Sequence, residues 1–497
     1  MEFQRSSGII MHISSLHGKY GIGDLGKPAY EFVDFMAEAG QKLWQILPMG
    51  PTGYGDSPYQ SFSAFAGNHY FIDMESLVDR GFLQKDDLAP LIEGNIEGSI
   101  DFGLIHREKM RLLRKAYDKY LQMDQLQDME EFKKKSEYWI EDYCLFMALK
   151  KNFDYTQWQK WPKDYRYKKR AIIKETEMDL CYEMEFQLFL QYIFYEQWEN
   201  LKSYAKSKNV KIIGDIPIFV ASDSADSWAN SKMFLFNKYK KPTKLSGAPP
   251  DMFSKDGQYW GNPLYDWEYM EKTGYRWWLE RVKSSFRMYD TIRIDHFRGF
   301  ESFWTVRYGR KTARKGRWEK GPGMKLFGRI NRTLGDLPII AEDLGFLTPK
   351  VRKLLKDSGY PGMKILEFAF DKNEENEYLP HRYPENCVAY TGTHDNDTVV
   401  GWYRGLDNFH KGICDRYLKK MPEAESEEIN WKCIEAIWSS KAMMSITQMQ
   451  DIIGLGSEAR MNFPATSWGN WKWRMKKEDL KEETALRLKK ITEKYNR

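Results

Sequence analysis

Short apolar runs alternate with longer amphipathic spans along most of this chain. Residues 8–15 and 42–51 are apolar runs that predict strands, and residues 28–40 between them place apolar side chains at helical spacing. Gly40 ends this helical pattern, and glycine is common at the end of a helix. Together the three segments predict a βαβ unit.

The strand-like pattern returns in the second half of the chain. Five further apolar runs predict strands, mostly separated by helical spans: 209–220, 290–295, 337–345, 362–370 and 386–397. A weaker run at 458–466 predicts an eighth strand. Continuous apolar runs separated by helices are typical of parallel strands that are covered on both faces. We therefore predict an α/β fold, a (β/α)8 TIM barrel, with an open doubly wound sheet as the alternative.

Three spans do not follow the strand and helix alternation and are predicted to be insertions in a single catalytic barrel over residues 1–497. Their boundaries are approximately 75–205, 221–285 and 400–455. The first and the last have helical periodicity, whereas the second is predicted to be a loop subdomain. A basic stretch at 309–321 is predicted to be an exposed loop.

Composition and charge exclude several classes of protein. The 497 residues include 76 Lys and Arg against 71 Asp and Glu, so no strong field is available to attract nucleic acid. No stretch reaches the length of a membrane span, and the N-terminus lacks a signal-peptide pattern. Five cysteines without CxxC spacing predict buried, reduced thiols. These features predict a cytoplasmic protein without membrane or nucleic-acid partners, and we expect a monomer or a weak homodimer.

Aromatic residues are unusually frequent, because 18 Trp, 30 Tyr and 28 Phe make up 15% of the chain. A large core accounts for many of them. However, the segments 257–263 and 467–474 place aromatic residues beside Gly and Asn in predicted loops. Exposed aromatic side chains suit flat, apolar ligand faces such as those of sugars or bases.

Four carboxylates stand at the carboxyl ends of four different predicted strands: Asp215, Asp295, Glu342 and Asp395. A single such residue often only caps the next helix. Barrel enzymes, however, assemble their active sites from these strand ends. Two carboxyl groups on either side of a glycosidic bond are what retaining glycoside cleavage requires, with one as nucleophile and the other as acid and base.

The residues around these carboxylates resemble the motifs of a known family. The segments "RIDHFRGF" (293–300), "AEDLG" (341–345) and "THDND" (393–397) are similar to the catalytic signatures of the amylomaltases, which are 4-α-glucanotransferases of glycoside hydrolase family 77 in the α-amylase clan. Longer matching segments extend the resemblance over nearly the whole chain, including 44–68 and 460–474.

The resemblance implies roles for the residues of these motifs. Asp295 would be the nucleophile that forms a covalent glucosyl-enzyme, and Arg293 would keep it ionised by lowering its pKa. Glu342 would be the acid/base, which requires a raised pKa. Asp395, together with His394, would bind sugar hydroxyls and favour distortion of the sugar at the cleavage point.

The resemblance also implies further substrate-binding positions and a flexible loop over the cleft at 247–262. The implied positions are Asp215 as a supporting carboxylate, Tyr59 and Ser57 at the donor site, Trp260 as a sugar platform, Asn462 and Pro464 in the cleft, and Tyr54 at a secondary glucan site.

The implied reaction is transfer of an α-1,4-glucan segment to the 4-OH of an acceptor glucan or glucose by retaining double displacement. Its partners would be α-1,4-glucans and maltooligosaccharides, and it needs no cofactor and no metal ion. Three alternatives stay open at this point: an α-glucan hydrolase of the same clan, a metal-dependent barrel hydrolase, and a non-catalytic glucan-binding protein. The presence of both Asp295 and Glu342 argues against the last, because binding alone does not require both.

Overall fold

A computed structural model describes residues 4–53, 55–123, 126–250, 254–373, 375–420, 428–466 and 468–497. It contains two β-sheets. In chain order the strands are β1 (Ser6–Ile10), β2 (Leu43–Gln45), β3 (Lys211–Ile216), β4 (Lys244–Ala248), β5 (Gln258–Pro263), β6 (Thr291–Ile294), β7 (Ser302–Arg307), β8 (Gly316–Lys320), β9 (Ile339–Ala341), β10 (Gly362–Ile365), β11 (Cys387–Tyr390) and β12 (Met444–Gln448).

Most of the remaining regular structure is α-helical. The helices are α1 (Lys27–Glu38), α2 (Met74–Asp79), α3 (Ala89–Glu93), α4 (Phe102–Leu104), α5 (Met110–Tyr120), α6 (Leu126–Lys135), α7 (Ile140–Asn152), α8 (Lys163–Arg166), α9 (Arg170–Asp179), α10 (Cys181–Ser207), α11 (Ala225–Ala229), α12 (Trp267–Lys272), α13 (Arg276–Met288), α14 (Met324–Leu334), α15 (Pro349–Ser358), α16 (Val399–Gly405), α17 (Asn408–Lys419), α18 (Ile429–Trp438), α19 (Met449–Ile453) and α20 (Glu482–Lys494).

Eight strands pair in parallel in the order β10-β11-β12-β1-β2-β3-β6-β9. The backbone N–H of Ala341 in β9 donates to the carbonyl of Pro361, directly before β10, at 2.9 Å, which brings the two ends of the sheet together. The predicted (β/α)8 barrel is therefore confirmed. Because the carboxyl ends of all eight strands open at the same face, side chains that follow those ends are brought together.

Alternating side chains of the barrel strands point inward and fill the lower part of the barrel. The apolar interior consists of Ile10, Leu43, Ile213, Ile340, Met363, Ile365, Val388, Tyr390, Met444 and Ile446. Two residues further along β3, the same face of the strand carries Asp215, which pairs in register with Arg293 on β6. The apolar interior thus ends in a charged layer at the carboxyl face.

The predicted eighth strand is wrong in its position. The span 458–466 begins within a short 3-10 helix, Ser457–Ala459, and continues as irregular backbone. The eighth strand of the barrel is β12 instead. Ser445 and Thr447 of β12 are both buried, and each hydroxyl is hydrogen-bonded: Ser445 donates to the carbonyl of Ile437, and Thr447 pairs with Thr391. These polar residues interrupt the apolar run, which explains why the pattern did not predict a strand.

The predicted insertions differ in content. Between β2 and β3 the chain forms helices α2 to α10, which occupy the span 75–205. The span 221–285 contains helices together with strands β4 and β5. The span 400–455, predicted to be a helical insertion, contains helices and also β12, a strand of the barrel itself.

The second sheet is antiparallel, with the order β5-β4-β7-β8. Strands β4 and β5 form a hairpin, so the segment 247–262, expected to be a flexible loop, begins with the end of β4 and closes with most of β5. Strand β8 falls in the basic stretch 309–321, which was predicted to be a loop. The sheet therefore joins the predicted insertion 221–285 to the basic stretch 309–321, which the sequence pattern did not connect.

Among the described residues, no helix is both long and apolar enough to cross a bilayer. Four of the five free cysteines are buried as expected, but Cys181 is exposed at the start of α10. Between β10 and β11, residues 366–373 and 375–386 contain no α-helix, so one barrel connection departs from the usual alternation.

Candidate active site

Arg293 joins two carboxylates at the carboxyl face of the barrel. Its Nη1 donates to Oδ2 of Asp215 at 2.6 Å, and its Nη2 lies 3.3 Å from Oδ1 of Asp295. The side chains of Arg293 and Asp215 are 4% and 0% exposed, whereas that of Asp295 is 28% exposed. Asp295 is therefore the carboxylate of this trio that faces the cleft.

The backbone after β6 fixes the direction of Asp295. Its N–H donates to the carbonyl of Ile216 at 3.0 Å, which continues the strand pairing by one residue. The next residue, His296, has a φ of 52°, in the left-handed region that residues other than glycine rarely adopt. The chain thus turns sharply directly after Asp295.

The pKa of Asp295 departs from the expectation based on Arg293. Burial raises the pKa of Asp295 well above its ordinary value, and the nearby guanidinium of Arg293 lowers it without reversing the effect. Three further carboxylates, Asp215, Glu342 and Asp395, add to the rise. Arg293 therefore acts on the pKa of Asp295 in the expected direction, but burial and the three neighbouring carboxylates outweigh it.

Glu342 directly follows β9 and is 9% exposed. Its Oε2 accepts the N–H of His296 at 2.7 Å and its Oε1 accepts the N–H of Leu344 at 2.9 Å. Burial raises the pKa of Glu342, while Arg293 and the two backbone N–H groups oppose the rise. The direction is the one that an acid at neutral pH requires. The charge of Glu342 in turn raises the pKa of Asp295.

Asp395 lies in the loop after β11 and reaches into the cleft with a side chain that is 49% exposed. Its Oδ1 accepts from Nδ2 of Asn462 at 2.6 Å, and its Oδ2 lies 3.5 Å from Nε2 of His394. Nη2 of Arg460 donates to its backbone carbonyl at 2.7 Å. Burial lowers the pKa of His394, so this imidazole is neutral. The structure therefore brings together Asp395, His394 and Asn462.

Tyr59 links the donor-side loop to this network. Its hydroxyl donates to Oδ2 of Asp215 at 2.6 Å, and its ring stacks on His394 with centroids 5.1 Å apart. Burial raises the pKa of Tyr59 well above its ordinary value, so the hydroxyl remains a donor. Oγ of Ser57 accepts the N–H of Tyr59 at 3.3 Å. Ser57 therefore supports the loop conformation that presents Tyr59.

Trp260 lies on β5 and is half-buried. Its ring meets that of His296 edge-on at 4.8 Å, next to Asp295 in the chain. Pro464 is half-buried in the segment that follows Asn462. Tyr54, predicted at a secondary glucan site, lies outside the described residues.

Two histidines and one tryptophan lie at the site that the sequence did not predict as site residues. His12, after β1, is buried and accepts the N–H of Leu47. Burial lowers the pKa of His12 to about 3, and the nearby His394 adds to this effect. His296 contacts Trp260 and Glu342 as described above. Trp471 is buried against Tyr59 and His394, at 6.0 and 5.9 Å. The position of His12 at a strand end and the aromatic run 467–474 were the available signals.

Together these residues supply two carboxyl groups at neighbouring strand ends, a buried cation and hydroxyl-binding groups. Among the described residues, no group of three His, Cys, Asp or Glu side chains is arranged as a set of metal ligands. Covalent and acid/base catalysis by carboxyl groups is the chemistry that such an arrangement can perform.

Comparison with known proteins agrees with this chemistry. The chain is 51% identical over 488 residues to a 4-alpha-glucanotransferase from Clostridium butyricum, covering 98% of this chain and 100% of the relative. It is 43% identical to a 4-alpha-glucanotransferase from Thermus thermophilus, with 99% of both chains covered. The amylomaltase from Streptococcus agalactiae, solved in complex with acarbose, superposes with a TM-score of 0.96 at 41% identity, covering 99% of this chain and 100% of that one. The sequence profile of glycoside hydrolase family 77, described as 4-alpha-glucanotransferase, matches residues 11–481, and the chain belongs to this family.

Proposed function

We propose that this enzyme moves α-1,4-glucan segments from a donor to the 4-OH of an acceptor glucan or glucose by retaining double displacement. Asp295 is the nucleophile, Glu342 the acid/base, and Asp395 the residue that holds the distorted sugar. The observation that carries the proposal is the contact of Arg293 with both Asp215 and Asp295 at the open face of the barrel.

In the first step, Asp295 attacks the anomeric carbon while Glu342 protonates the departing oxygen, which gives a covalent glucosyl-enzyme and releases the shortened glucan. In the second step, Glu342 takes the proton from the acceptor hydroxyl, which then displaces Asp295. The pair must therefore hold one proton in total, on Glu342, when the donor is bound. Burial favours the retention of a proton by this pair. The direct contact of Arg293 with Asp295 favours ionisation of that carboxyl.

Asp215, Arg293 and Tyr59 form the support for the nucleophile. Asp215 receives hydrogen bonds from both Arg293 and Tyr59, so it orients the guanidinium that faces Asp295. Asp395 and His394 offer an acceptor and a neutral imidazole to sugar hydroxyls, and Asn462 fixes the Asp395 carboxylate. Ser57, Trp260 and Pro464 complete the substrate-binding set in this proposal.

Transfer, rather than hydrolysis, requires that a sugar hydroxyl reaches the intermediate before water does. The exposed aromatic side chains Phe463 and Trp468, which follow Asn462 in the chain, can hold an acceptor sugar, and the ring of Trp260 meets that of His296 next to Asp295. The acarbose bound by the Streptococcus agalactiae relative supports α-1,4-glucans and maltooligosaccharides as partners. An α-glucan hydrolase remains the alternative function.

The decisive experiment is the product pattern from maltotriose. We expect glucose together with a ladder of longer maltooligosaccharides and almost no net gain in reducing ends. A steady rise in reducing ends, with no product longer than the substrate, would show a hydrolase. Asp295→Asn should abolish both reactions, whereas Asp357→Asn, an exposed carboxylate paired with Lys353 on α15, is the matched control and should retain activity.

Two further properties are proposed with the function. The enzyme acts in the cytoplasm as a monomer or a weak homodimer, without nucleic-acid or membrane partners. Cell fractionation tests the location, and sedimentation over a range of protein concentrations tests the oligomeric state.

A further inference from the structure

The loop after β11 is held from both sides by carboxyl groups that the proposed reaction does not use. This loop, residues 391–399, carries His394 and Asp395. Glu367, which follows β10, lies on one side of it, and Asp451, which follows β12, lies on the other. Because β10, β11 and β12 are neighbours in the barrel, the two carboxyls flank the loop at the carboxyl face.

Asp451 fixes the two ends of the loop. Its Oδ2 accepts from the hydroxyl of Thr391 at 2.7 Å, and its Oδ1 accepts the N–H of Val399 at 2.7 Å. Both oxygens of this fully buried carboxyl therefore have partners. Burial raises the pKa of Asp451 to about 7, against the effect of these two hydrogen bonds.

Glu367 fixes the middle of the loop through Asn396. Its Oε2 accepts from Nδ2 of Asn396 at 3.1 Å. Oδ1 of Asn396 in turn accepts the N–H and the hydroxyl of Thr393, at 3.0 and 2.9 Å. These bonds close a small ring of backbone around His394 and Asp395, so the contact with Glu367 sets where that ring lies relative to β10.

The second carboxyl oxygen of Glu367, Oε1, is buried without a hydrogen bond among the described residues to compensate for its lost solvation. It faces the backbone of Gly392 so closely that a Cβ built there would lie 2.9 Å from it. A buried carboxylate with one unpartnered oxygen is unfavourable, whereas a neutral acid or an amide in the same place loses much less solvation.

The charges around Glu367 also disfavour its ionised form. Asp451 and Asp397 face it with negative charge, and Arg460 is a cation that acts on it. Burial raises the pKa of the Cys433 thiol on α18, and Glu367 adds to that rise. Burial, followed by Asp451, raises the pKa of Glu367 well above its ordinary value. Arg460 also donates to the carbonyl of Asp395 and is therefore part of the same assembly.

We propose that Glu367 is a positioning residue that works as a neutral carboxylic acid, holding Asn396 so that His394 and Asp395 meet the sugar at the cleavage point. The inference rests on the proposed roles of these two residues. What Glu367 contributes is shape and one accepting oxygen, and a negative charge at this position would repel Asp397 within the loop and Asp451 beside it.

The test compares Glu367→Gln with Glu367→Ala. Glutamine keeps the accepting oxygen and the neutral state, so kcat/KM for maltotriose disproportionation at neutral pH should remain within assay error of that of the unchanged enzyme. Alanine frees Asn396, and a displaced sugar-binding loop should lower kcat/KM by about 10- to 100-fold. An equal loss in both variants would overturn the proposal, because it would show that the charge is needed; no loss in alanine would overturn it as well.

A second measurement does not depend on the alanine variant being folded. In a Glu342→Gln background, which removes turnover and the titration of the acid/base, raising the pH should weaken the Kd for maltohexaose, because Glu367 gains a negative charge as it ionises. The weakening should be about tenfold smaller in the Glu342→Gln, Glu367→Gln double variant, which keeps Asp451 but cannot gain a charge at position 367. Equal weakening in the two proteins would overturn the proposal.

The two proposals fail in different ways. If maltotriose yields no longer products, the proposed transferase function fails, yet the binding experiment still reports on Glu367. If transfer is present but Glu367→Gln behaves like Glu367→Ala, only the role of Glu367 is refuted.

Discussion

Removing the charge of Arg293 should destabilise the protein, and a second substitution should restore stability without restoring activity. Arg293→Met replaces the guanidinium by an apolar side chain of comparable length at a position where the side chain is 4% exposed. Asp215, whose side chain is 0% exposed, then loses its ion pair. Its Oδ2 keeps only the hydroxyl of Tyr59, and its Oδ1 has no hydrogen-bond partner among the described residues.

Breaking a buried ion pair by removing one partner costs about 3–5 kcal/mol of unfolding free energy, because the remaining charge is buried without compensation. Asp215→Asn in the same chain removes that charge. Most of the loss should therefore return in the Arg293→Met, Asp215→Asn double variant, which gives a coupling energy of at least about 2 kcal/mol. Disproportionation should remain absent, because Asp295 still lacks the cation that favours its ionised form.

Urea unfolding followed by tryptophan fluorescence measures the stability of the four proteins in the cycle, and the maltotriose assay measures activity. The matched control is Arg80→Met, which breaks the half-exposed pair of Arg80 with Glu196 and should cost only about 0–1 kcal/mol. Two results would refute the reasoning: a double variant no more stable than Arg293→Met, or a double variant that regains turnover.

Three further predictions follow from other contacts. Tyr59→Phe keeps the stack on His394 but removes the hydrogen bond to Asp215, worth about 1.5–3 kcal/mol for a charged acceptor, so kcat should fall while the fold is retained; unchanged kinetics would exclude the role of the hydroxyl. Exhaustive chelation should leave the rate of maltotriose disproportionation unchanged, and loss restored by a divalent ion would favour a metal-dependent hydrolase. Burial lowers the pKa of His69 to about 3, below its unfolded value, so its contribution to stability is present above about pH 6.5 and is lost as the pH falls towards 3. His69→Phe should therefore make urea stability less sensitive to acid, and an unchanged acid dependence would contradict this.

The sequence predicted the barrel because seven of its strands are continuous apolar runs, and it failed where tertiary contacts hide polarity. Ser445 and Thr447 in β12 look unsuited to a buried strand until their partners, Ile437 and Thr391, are known. Thr391 and Thr447 are more than fifty residues apart in the chain, so a local pattern cannot predict the hydrogen bond between them. The position of the eighth strand therefore became known only from the fold.

The candidate site shows the same limit. Arg293 and Asp295 are two residues apart on a strand, so their proximity could be predicted from the period of the backbone. The direction of the pKa shift of Asp295 could not, because it depends on how much water the surrounding loops exclude. The stacking of Tyr59 on His394 likewise joins loops that are far apart in sequence, which residue spacing does not report.

The antiparallel sheet has a free edge, and its composition has a consequence for solubility. Unlike the barrel, whose sheet closes on itself, this sheet ends at β8, which pairs only with β7 among the described residues. The backbone groups on the other edge of β8 could bind the edge of a second molecule. Arg317, Glu319 and Lys320 stand on this strand, within the basic stretch 309–321. Charged side chains at an exposed edge oppose pairing between identical molecules, so this stretch protects the enzyme from strand-to-strand aggregation at high protein concentration.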